Sequence, residues 1–559
     1  MNISRAALAV GLSLTLGACD GILDLKDLEA VSEADVWNDE QLAEAYVNRI
    51  YMDNLPGWSD DEANYSDESN GGGNYMYGQL TENSVNYWPY GQIRRINILL
   101  SEIDEGDLDQ ELKDRFKGEA HFFRAWRYWE MVKRYGGVPL LLEPQDLAAD
   151  LLVERSPTSV VVDQILSDLD QAAGLLPQFD AGSDENDGHV HVGTALALKG
   201  RVLLYYASPQ FNRNDDGGRW QDAYEANLAA KQYLEAHGFG LHDDFEGLWF
   251  EEMNREAIFV RRYSYPVDTH NWAAATRPLD ESQGSTGGNW PTLEMVESFP
   301  MSDGQPIEGH PEYDPTFFWQ DRDPRFAATI AYNGAVWELS GQSGRRQWTY
   351  VGGEANNPTQ TGFYTRKAVD PADDAFEAAN GDTQWIEIRF AEVLLNLAEA
   401  ANAIGQTQVA YDQLIALRQR AGIEAGDGLY GLEAGMSPEE MQDAIMLERK
   451  IELAYEGKRY WDLRRNMLFE ELLNGTRRHG LRINLIVPTE EWEAAQGSVD
   501  LQTQYDQYFE HEVVLLDTQF DIDWQDNYYF FAIPSDHLRL NSRLEQTAGW
   551  AGGTFDPLQ

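Results

Sequence analysis

The stretch "RFAEVLLNLAEAANAIG", residues 389–405, decides how the rest of this chain is read. Ala391, Leu394, Leu395, Ala398 and Ala401 recur at three- and four-residue spacing, which draws one narrow apolar stripe along a helix. Gly405 stands where a C-terminal glycine belongs. The next segment repeats the pattern with Tyr411, Leu414, Leu417 and Ala421, closed by Gly422. Small residues on facing sides let two helices approach closely, so the two are expected to nest as an antiparallel pair.

Working outward, the same spacing predicts helices over 41–52, 92–103, 108–135, 159–176, 194–207, 222–236, 385–404, 409–421 and 438–466. Ser156-Pro157-Thr158 opens one of them. Ser437-Pro438-Glu439-Glu440 gives another an N-cap, a first-turn proline and acids at the positive end of the dipole. Period-34 self-similarity is weak, so stacked helix pairs of tetratricopeptide-like kind are expected, without a regular array. In "HFFRAWRYWEMVKRYGG", 121–137, Phe122, Phe123, Trp126, Trp129 and Val132 form a core stripe. In "ERKIELAYEGKRYWDLRR", 448–465, Ile451, Leu453, Tyr455, Trp461 and Leu463 are expected to pack. Glu448, Arg449, Glu452 and Arg459 are expected to pair at four-residue spacing. Arg322-Asp323-Pro324-Arg325 reads as a turn locked by arginine bonds to carboxylate or carbonyl.

Between residues 245 and 384 the character changes. Gly, Pro, Asn, Asp and aromatic residues dominate, broken by short β-like runs such as "EAIFVRRYSY" and "FAATIAYNG". A loop-rich insertion between helical blocks is often functional. Residues 58–90 share its texture.

Cys19 is the only cysteine, so it has no internal disulfide partner. It follows a charged start and an apolar run over 6–17, too short to span a bilayer, and Leu16-Gly17-Ala18-Cys19 resembles the lipobox of bacterial lipoproteins. Residues 1–18 then read as a signal peptide and Cys19 as the lipidated first residue of the mature chain, anchored by lipid rather than inserted. An ordinary secretory signal with an incidental cysteine is the plainer alternative. Acids number 95 against 42 bases, a net charge of −53, which excludes a phosphate-reading, nucleic-acid-binding role. With only nine lysines among the bases, the balance suits a halophilic setting, where short-range screening quenches self-repulsion.

Eight segments, in order, resemble the SusD/RagB family of Bacteroidota outer-membrane lipoproteins. They are "LDLKDLEAVSEADVW", "GEAHFFRAWRYWEMVKRYGGVPLLLEP", "ALALKGRVLLYYASP", "PTLEMVESFPMSDGQPI", "RDPRFAATIAYNG", "IRFAEVLLNLAEAANAIG", "RQRAGI" and "LERKIELAYEGKRYWDLRRN". The resemblance implies a mainly α fold, a tetratricopeptide-like superhelical scaffold whose loop-rich, partly β insertion forms the ligand face. It implies an N-terminal region over 19–244 and a C-terminal region over 245–559, with the insertion at 245–384 and a helical block at 385–470, packed as one unit. It also implies a surface-exposed outer-membrane lipoprotein that binds oligosaccharide or polysaccharide and delivers it to a SusC-like TonB-dependent transporter. Family members bind and are not known as catalysts; some handle peptide or other nutrients.

A pyranose stacks its C–H face on an exposed ring while its hydroxyls take fixed amide, carboxylate or guanidinium partners. The glycan-binding candidates are therefore loop aromatics beside such groups. In the first loop these are Tyr75, Tyr77 and Trp88 with Asn74, Asn83 and Asn86. In the insertion they are Trp272 and Trp290 with Asn271, Arg277 and Asn289, and Trp337 and Trp348 stand in reserve. No cofactor, metal or catalytic residue is assigned. "NRNDDGG" begins like a calcium loop, but its twelfth position is Ala223. His189 and His191 read as a lone surface pair, and HExxH and G-x-S-x-G are absent.

Overall fold

The computed structural model describes residues 33–58, 62–146, 148, 150–179, 188–283, 288–354 and 358–559. The signal segment and Cys19 lie outside the described residues. Among the described residues, helices of 13 or more residues are α1 (Glu40–Asn54), α2 (Tyr90–Glu102), α3 (Gln110–Tyr135), α4 (Thr158–Leu175), α5 (Val192–Ala207), α6 (Gly217–Ala236), α7 (Phe390–Ala403), α8 (Thr407–Ala421) and α9 (Pro438–Glu452). From α3 onward each packs on the next: α3 on α4, α4 on α5, α5 on α6, α6 on α7, α7 on α8. The insertion leaves this stack after α6 and returns to it at α7, so the superhelix is continuous across the interruption. The described body is helix-rich and of the expected tetratricopeptide-like class, and among the described residues no helix is long and apolar enough to cross a membrane.

Local signals place these helices. Ser437 caps α9 with its side chain on Glu440 N while the Glu440 carboxylate reaches back to Ser437 N at 2.7 Å, a reciprocal box behind Pro438. Gly422 ends α8 at φ +84°, a conformation other residues adopt only under strain. Phe122, Phe123, Trp126, Trp129 and Val132 are all buried in the helical core.

Three two-stranded antiparallel sheets complete the structure: β1 (Ala257–Arg261) with β4 (Trp385–Arg389), β2 (Ile330–Ala331) with β3 (Tyr364–Thr365), and β5 (His479–Leu485) with β6 (Phe509–Leu515). Residues 385–389, expected within a helix, are β4. Alternating Trp385-Ile386-Glu387-Ile388 pairs with β1 (Val260 opposite Ile386), and the helix starts only at Phe390. The helix expected over 438–466 is likewise interrupted. Tyr455 and Gly457 take φ +60° and +68°, and a separate short helix runs Arg459–Arg465.

That break serves a buried charge lattice. Arg389 reaches Glu256 and Glu452 at 2.6 Å and Glu456 at 2.8 Å, Arg325 reaches Glu448 at 2.6 Å, and Arg418 reaches Glu448 at 2.8 Å. Burial pushes the Glu448 carboxyl up, but Arg325 and Arg418 outweigh it and hold the pKa below the usual range. The expected four-residue pairing within 448–459 is therefore replaced by longer-range partners: Arg449 takes Asp462 and Arg459 takes Asp67. Removing one partner from such a buried pair strands the other's charge and costs several kcal/mol, roughly 3–5. Arg322 meets expectation by donating to the carbonyls of Val296, Phe299 and Phe318.

A second hydrophobic core, distinct from the helical one, lies in the insertion. It is completed by Ile451, Ala454 and Tyr455 from the end of α9 and by Leu481, Ile483, Trp492 and Phe509 around the β5–β6 hairpin.

Candidate ligand-binding surface

The first loop is wound around one guanidinium. Arg478, just before β5, donates to the carbonyls of Asn64, Ser66, Ser69 and Gly71 and pairs with Asp517 at 2.9 Å. With its backbone thus held, the loop's rings lie half-buried. Tyr75 stacks on Tyr65 with centroids 3.9 Å apart, and Asn74 beside it is exposed. The Tyr77 hydroxyl donates to Asp517, and its ring sits 5.7 Å from the exposed Phe520. Burial and that carboxylate raise the Tyr77 pKa. Further along, Trp88 stacks on His537 (4.8 Å, 20°). Asn86 Oδ1 lies 2.9 Å from His537 Nε2, and Asn83 Oδ1 accepts from Ser535 N and Oγ, both at 2.9 Å. Trp88 and Tyr90 wall a shallow groove of about 240 Å³ with Leu151, Leu152 and Leu540.

The insertion candidates are placed differently. Trp272, Arg277, Asn289 and Trp290 are all buried, so none offers a face to solvent as expected. Trp272 donates its indole N–H to Lys367 O at 3.1 Å and stacks on Trp58 at 4.8 Å. Arg277 donates to Asp373 O at 3.0 Å. Asn289, at φ +53°, offers its carbonyl to Thr365 Oγ1. The cause is the second core, which supplies enough apolar surface to enclose these rings. Trp337 is buried too, whereas Asn271 is exposed and Trp348 half-buried.

On residues not singled out above, the insertion sets a half-buried ring, Tyr332, against a buried one, Trp319, at the wall of a groove. Trp319 and Tyr332 stack with centroids 5.1 Å apart and planes 18° off parallel, walling a groove of about 250 Å³ that is also lined by Asn333, Arg346, Arg366 and Gln502. The Tyr332 hydroxyl has no hydrogen-bond partner among the described residues, and burial pushes its pKa up to about 12. Arg346 spends one N–H on Gly334 O at 2.7 Å, leaving most of its fork unpaired. Asn333 is fixed by Thr349 N and Tyr350 N on its Oδ1. A flat double ring edged by a free phenol, a guanidinium and amides has the chemistry that polyhydroxylated rings need. "FFWQDRDPRFAATIAYNG" holds both rings, but their stacking depends on the Arg322–Arg325 turn between them, and spacing gives no sign of it. A wider groove, about 880 Å³ between Phe299–Gly309 and α9, is lined by five acids, among them Glu297, Glu440 and Asp443, and by only two rings, Phe299 and Tyr313.

Among the described residues no group of three or more His, Cys, Asp or Glu could hold a metal ion. Where the calcium-like pattern begins, Asp216 instead caps α6, its Oδ1 accepting from Gly218 N at 2.9 Å, and Asn212 Oδ1 accepts from Asp216 N at 2.8 Å. The two histidines part company. His191 is buried and caps α5 through Gly193 N, while His189 pairs with Glu119 at 3.0 Å.

Comparison with known families is consistent with this architecture. The model described as the SusD family matches residues 246–550. The chain belongs to the SusD/RagB family. A second model, "Starch-binding associating with outer membrane", matches residues 25–191. Among SusD relatives, SusD-like protein P38 of Formosa agariphila is 23% identical over 83% of this chain and 91% of its own. SusD-like protein P2 of the same organism is 24% identical over 69% and 72%. A SusD-like protein from Bacteroides fragilis superposes with TM-score 0.76 at 25% identity, covering 93% of this chain and 99% of its own. A laminarin-binding SusD-like protein superposes at TM-score 0.62 and 21% identity over 92% and 100%.

Proposed function

We propose that this SusD-family protein is a surface-exposed lipoprotein of the outer membrane, anchored through Cys19. It binds oligosaccharide or polysaccharide and passes it to a SusC-like TonB-dependent transporter, without catalysing its breakdown. The observation that carries the reading is the Trp319–Tyr332 stack with its unpaired phenol and Arg346 fork. Stacked rings supply the sugar face and the fork its hydroxyl contacts. The half-exposed rings of the first loop, Tyr75, Tyr77 and Trp88 with Asn74 and Asn83, supply further contacts for a longer chain. The known binding of laminarin by one structural neighbour supports a glycan cargo and makes β-glucan the first ligand to try.

Calorimetric titration of the mature protein against laminarin and a polysaccharide panel tests this. At least one glycan is expected to bind, and Tyr332→Ala to weaken it about tenfold or more, roughly 1.4 kcal/mol or above, with little change in melting temperature. Failure with every glycan alongside tight peptide binding would replace glycan by peptide as the cargo. The acidic balance suits concentrated salt, so melting temperature is expected to climb from low to molar salt; a flat series removes the halophilic reading.

A further inference from the structure

In a chain with 95 acids against 42 bases, the groove beside Tyr332 runs against the balance. Its lining includes two arginines, Arg346 and Arg366, and no Asp or Glu. The wider groove along α9 follows the balance instead: it has five acids and one arginine, Arg418, already paired with Glu448 at 2.8 Å.

One short segment brings the two guanidiniums together. Arg346 donates to Gly334 O at 2.7 Å and Arg366 to Val336 O at 3.2 Å, so both are tied to residues 334–336. Both also act on the Tyr332 hydroxyl: burial pushes that phenol's pKa up, while Arg366 and Arg346 pull against it. Their own matching is thin. Arg366 Nη2 meets Glu246 at 3.1 Å, but that carboxylate is about half exposed, and Arg366 Nε is buried with no hydrogen-bond partner. Arg346 pairs with no carboxylate among the described residues, and the Gly334 carbonyl takes one of its five N–H donors.

Two other arginines without a carboxylate partner show what a structural role looks like here. Arg322 donates to the carbonyls of Val296, Phe299, Pro300 and Phe318, and Arg155 to those of Tyr135, Gly137 and Glu545. Arg346 is not spent in that way, so most of its fork is left for whatever occupies the groove. Charges more than about 8 Å away are largely screened at physiological salt, so an anion in the groove meets the two guanidiniums at contact and little of the distant acids. A carboxylate or sulfate oxygen pair matches the parallel N–H groups of a guanidinium, which a single hydroxyl does not. Resting on the reading of this groove as a glycan site, we propose that the glycan it takes is acidic, its sugar carrying a carboxylate or a sulfate ester. The anion sits on the Arg346 fork with the Arg366 charge beside it, and the C–H face of the ring lies on Tyr332.

The test is calorimetric titration of the mature protein at about 0.15 M salt with size-matched oligosaccharides of polygalacturonate, of a sulfated galactan and of laminarin, and with oligoglutamate as a polyanion that is not a sugar. At least one acidic oligosaccharide is expected to bind about tenfold or more tightly than the laminarin one, and Arg346→Gln to bring the two affinities within about threefold of each other. Which acidic series binds tells carboxylate from sulfate. The wild-type comparison needs no variant, so it decides even if the melt of Arg346→Gln reports unfolding. Laminarin bound as tightly as both acidic series, a preference that survives in folded Arg346→Gln, or oligoglutamate bound more tightly than any sugar overturns the inference. Laminarin binding without an acidic preference leaves the glycan reading of the groove standing, whereas failure of every glycan, acidic and neutral, removes that reading itself, so the two fail separately.

Discussion

Two segments of this molecule look alike in sequence and behave oppositely. Residues 58–90 and 245–384 are both rich in Gly, Asn, Asp and rings. In the first, Tyr75, Tyr77 and Trp88 stay half-buried with Asn74 and Asn83 exposed around them; in the second, Trp272, Trp290 and Trp337 are shut inside. The longer segment brings enough of its own apolar residues, Phe245, Leu248, Trp249, Met295 and Phe299 among them, to build a core around its indoles. The shorter one borrows its support from Arg478, Phe520 and His537, and borrowed support covers only one side of each ring. Enclosure of the insertion's indoles thus follows from the core that its own apolar residues build, although Tyr332 and Trp348 stay half-buried there.

The sharpest way to break that contrast is Trp272→Ala. Truncating an indole that is 2% exposed and stacked on Trp58 is expected to cost about 3–5 kcal/mol, read as a fall in the denaturant midpoint. Glycan affinity of the folded fraction should hold. A cost below about 1 kcal/mol would mean that the site collapses easily and that the enclosed description is wrong.

The next effect lies on the seam between the two segments. Glu68 in the first loop accepts from Tyr455 N at 3.1 Å, and its carbonyl accepts from Thr292 N in the insertion at 3.1 Å. Burial drives its carboxyl pKa up to about 8, and Oε2 finds no partner. Between about pH 4.5 and 8 the folded chain therefore holds a proton that the unfolded chain has released, so this group makes stability fall as pH rises through that window and level off above it. Glu68→Gln removes the slope and should gain on the wild type by about 3–4 kcal/mol between pH 5 and 8, in paired thermal melts. Parallel curves would show that the seam carries an ionised Glu68.

The same contrast marks where reading the sequence succeeded. The α7–α8 pair was legible because its stripe is short-range: Ala391, Leu394, Ala398 and Leu414 are placed by helical period alone, and all are fully or almost fully buried. β4 was not, because Trp385–Ile388 is a brief alternation running straight into a helical pattern, and only its partner β1 makes it a strand. Nor were the partners of Glu448 and Arg459 legible, since Arg325 and Asp67 approach them through the fold and not along the helix. The first-loop candidates were placed at the surface by their residue types; the buried insertion candidates failed because enclosure is a property of the whole segment. Trp319 and Tyr332 were missed because each looks like core, and Trp319 in fact joins the second core while still walling a groove.

A smaller effect separates the first loop from the scaffold. Tyr75→Ala removes one ring of the Tyr65 stack at a half-buried site, and is expected to cost about 1 kcal/mol or less in stability while lowering polysaccharide affinity severalfold. A large stability loss would move Tyr75 into the same class as Trp272.

The smallest effect is a titration. Burial lowers the His537 pKa, and the ring that covers the imidazole is Trp88, 4.8 Å away and nearly parallel. Trp88→Ala uncovers the imidazole and should return its pKa upward toward the ordinary histidine value, followed by the ring-proton chemical shift against pH. The Asn86 contact at 2.9 Å survives the substitution, so any shift reports the lost cover and not a lost hydrogen bond. If His537 titrates alike in both proteins, its burial comes from the scaffold beneath, and Trp88 is the more openly exposed of the two rings. That outcome would strengthen Trp88 as a sugar contact while removing it as structural cover.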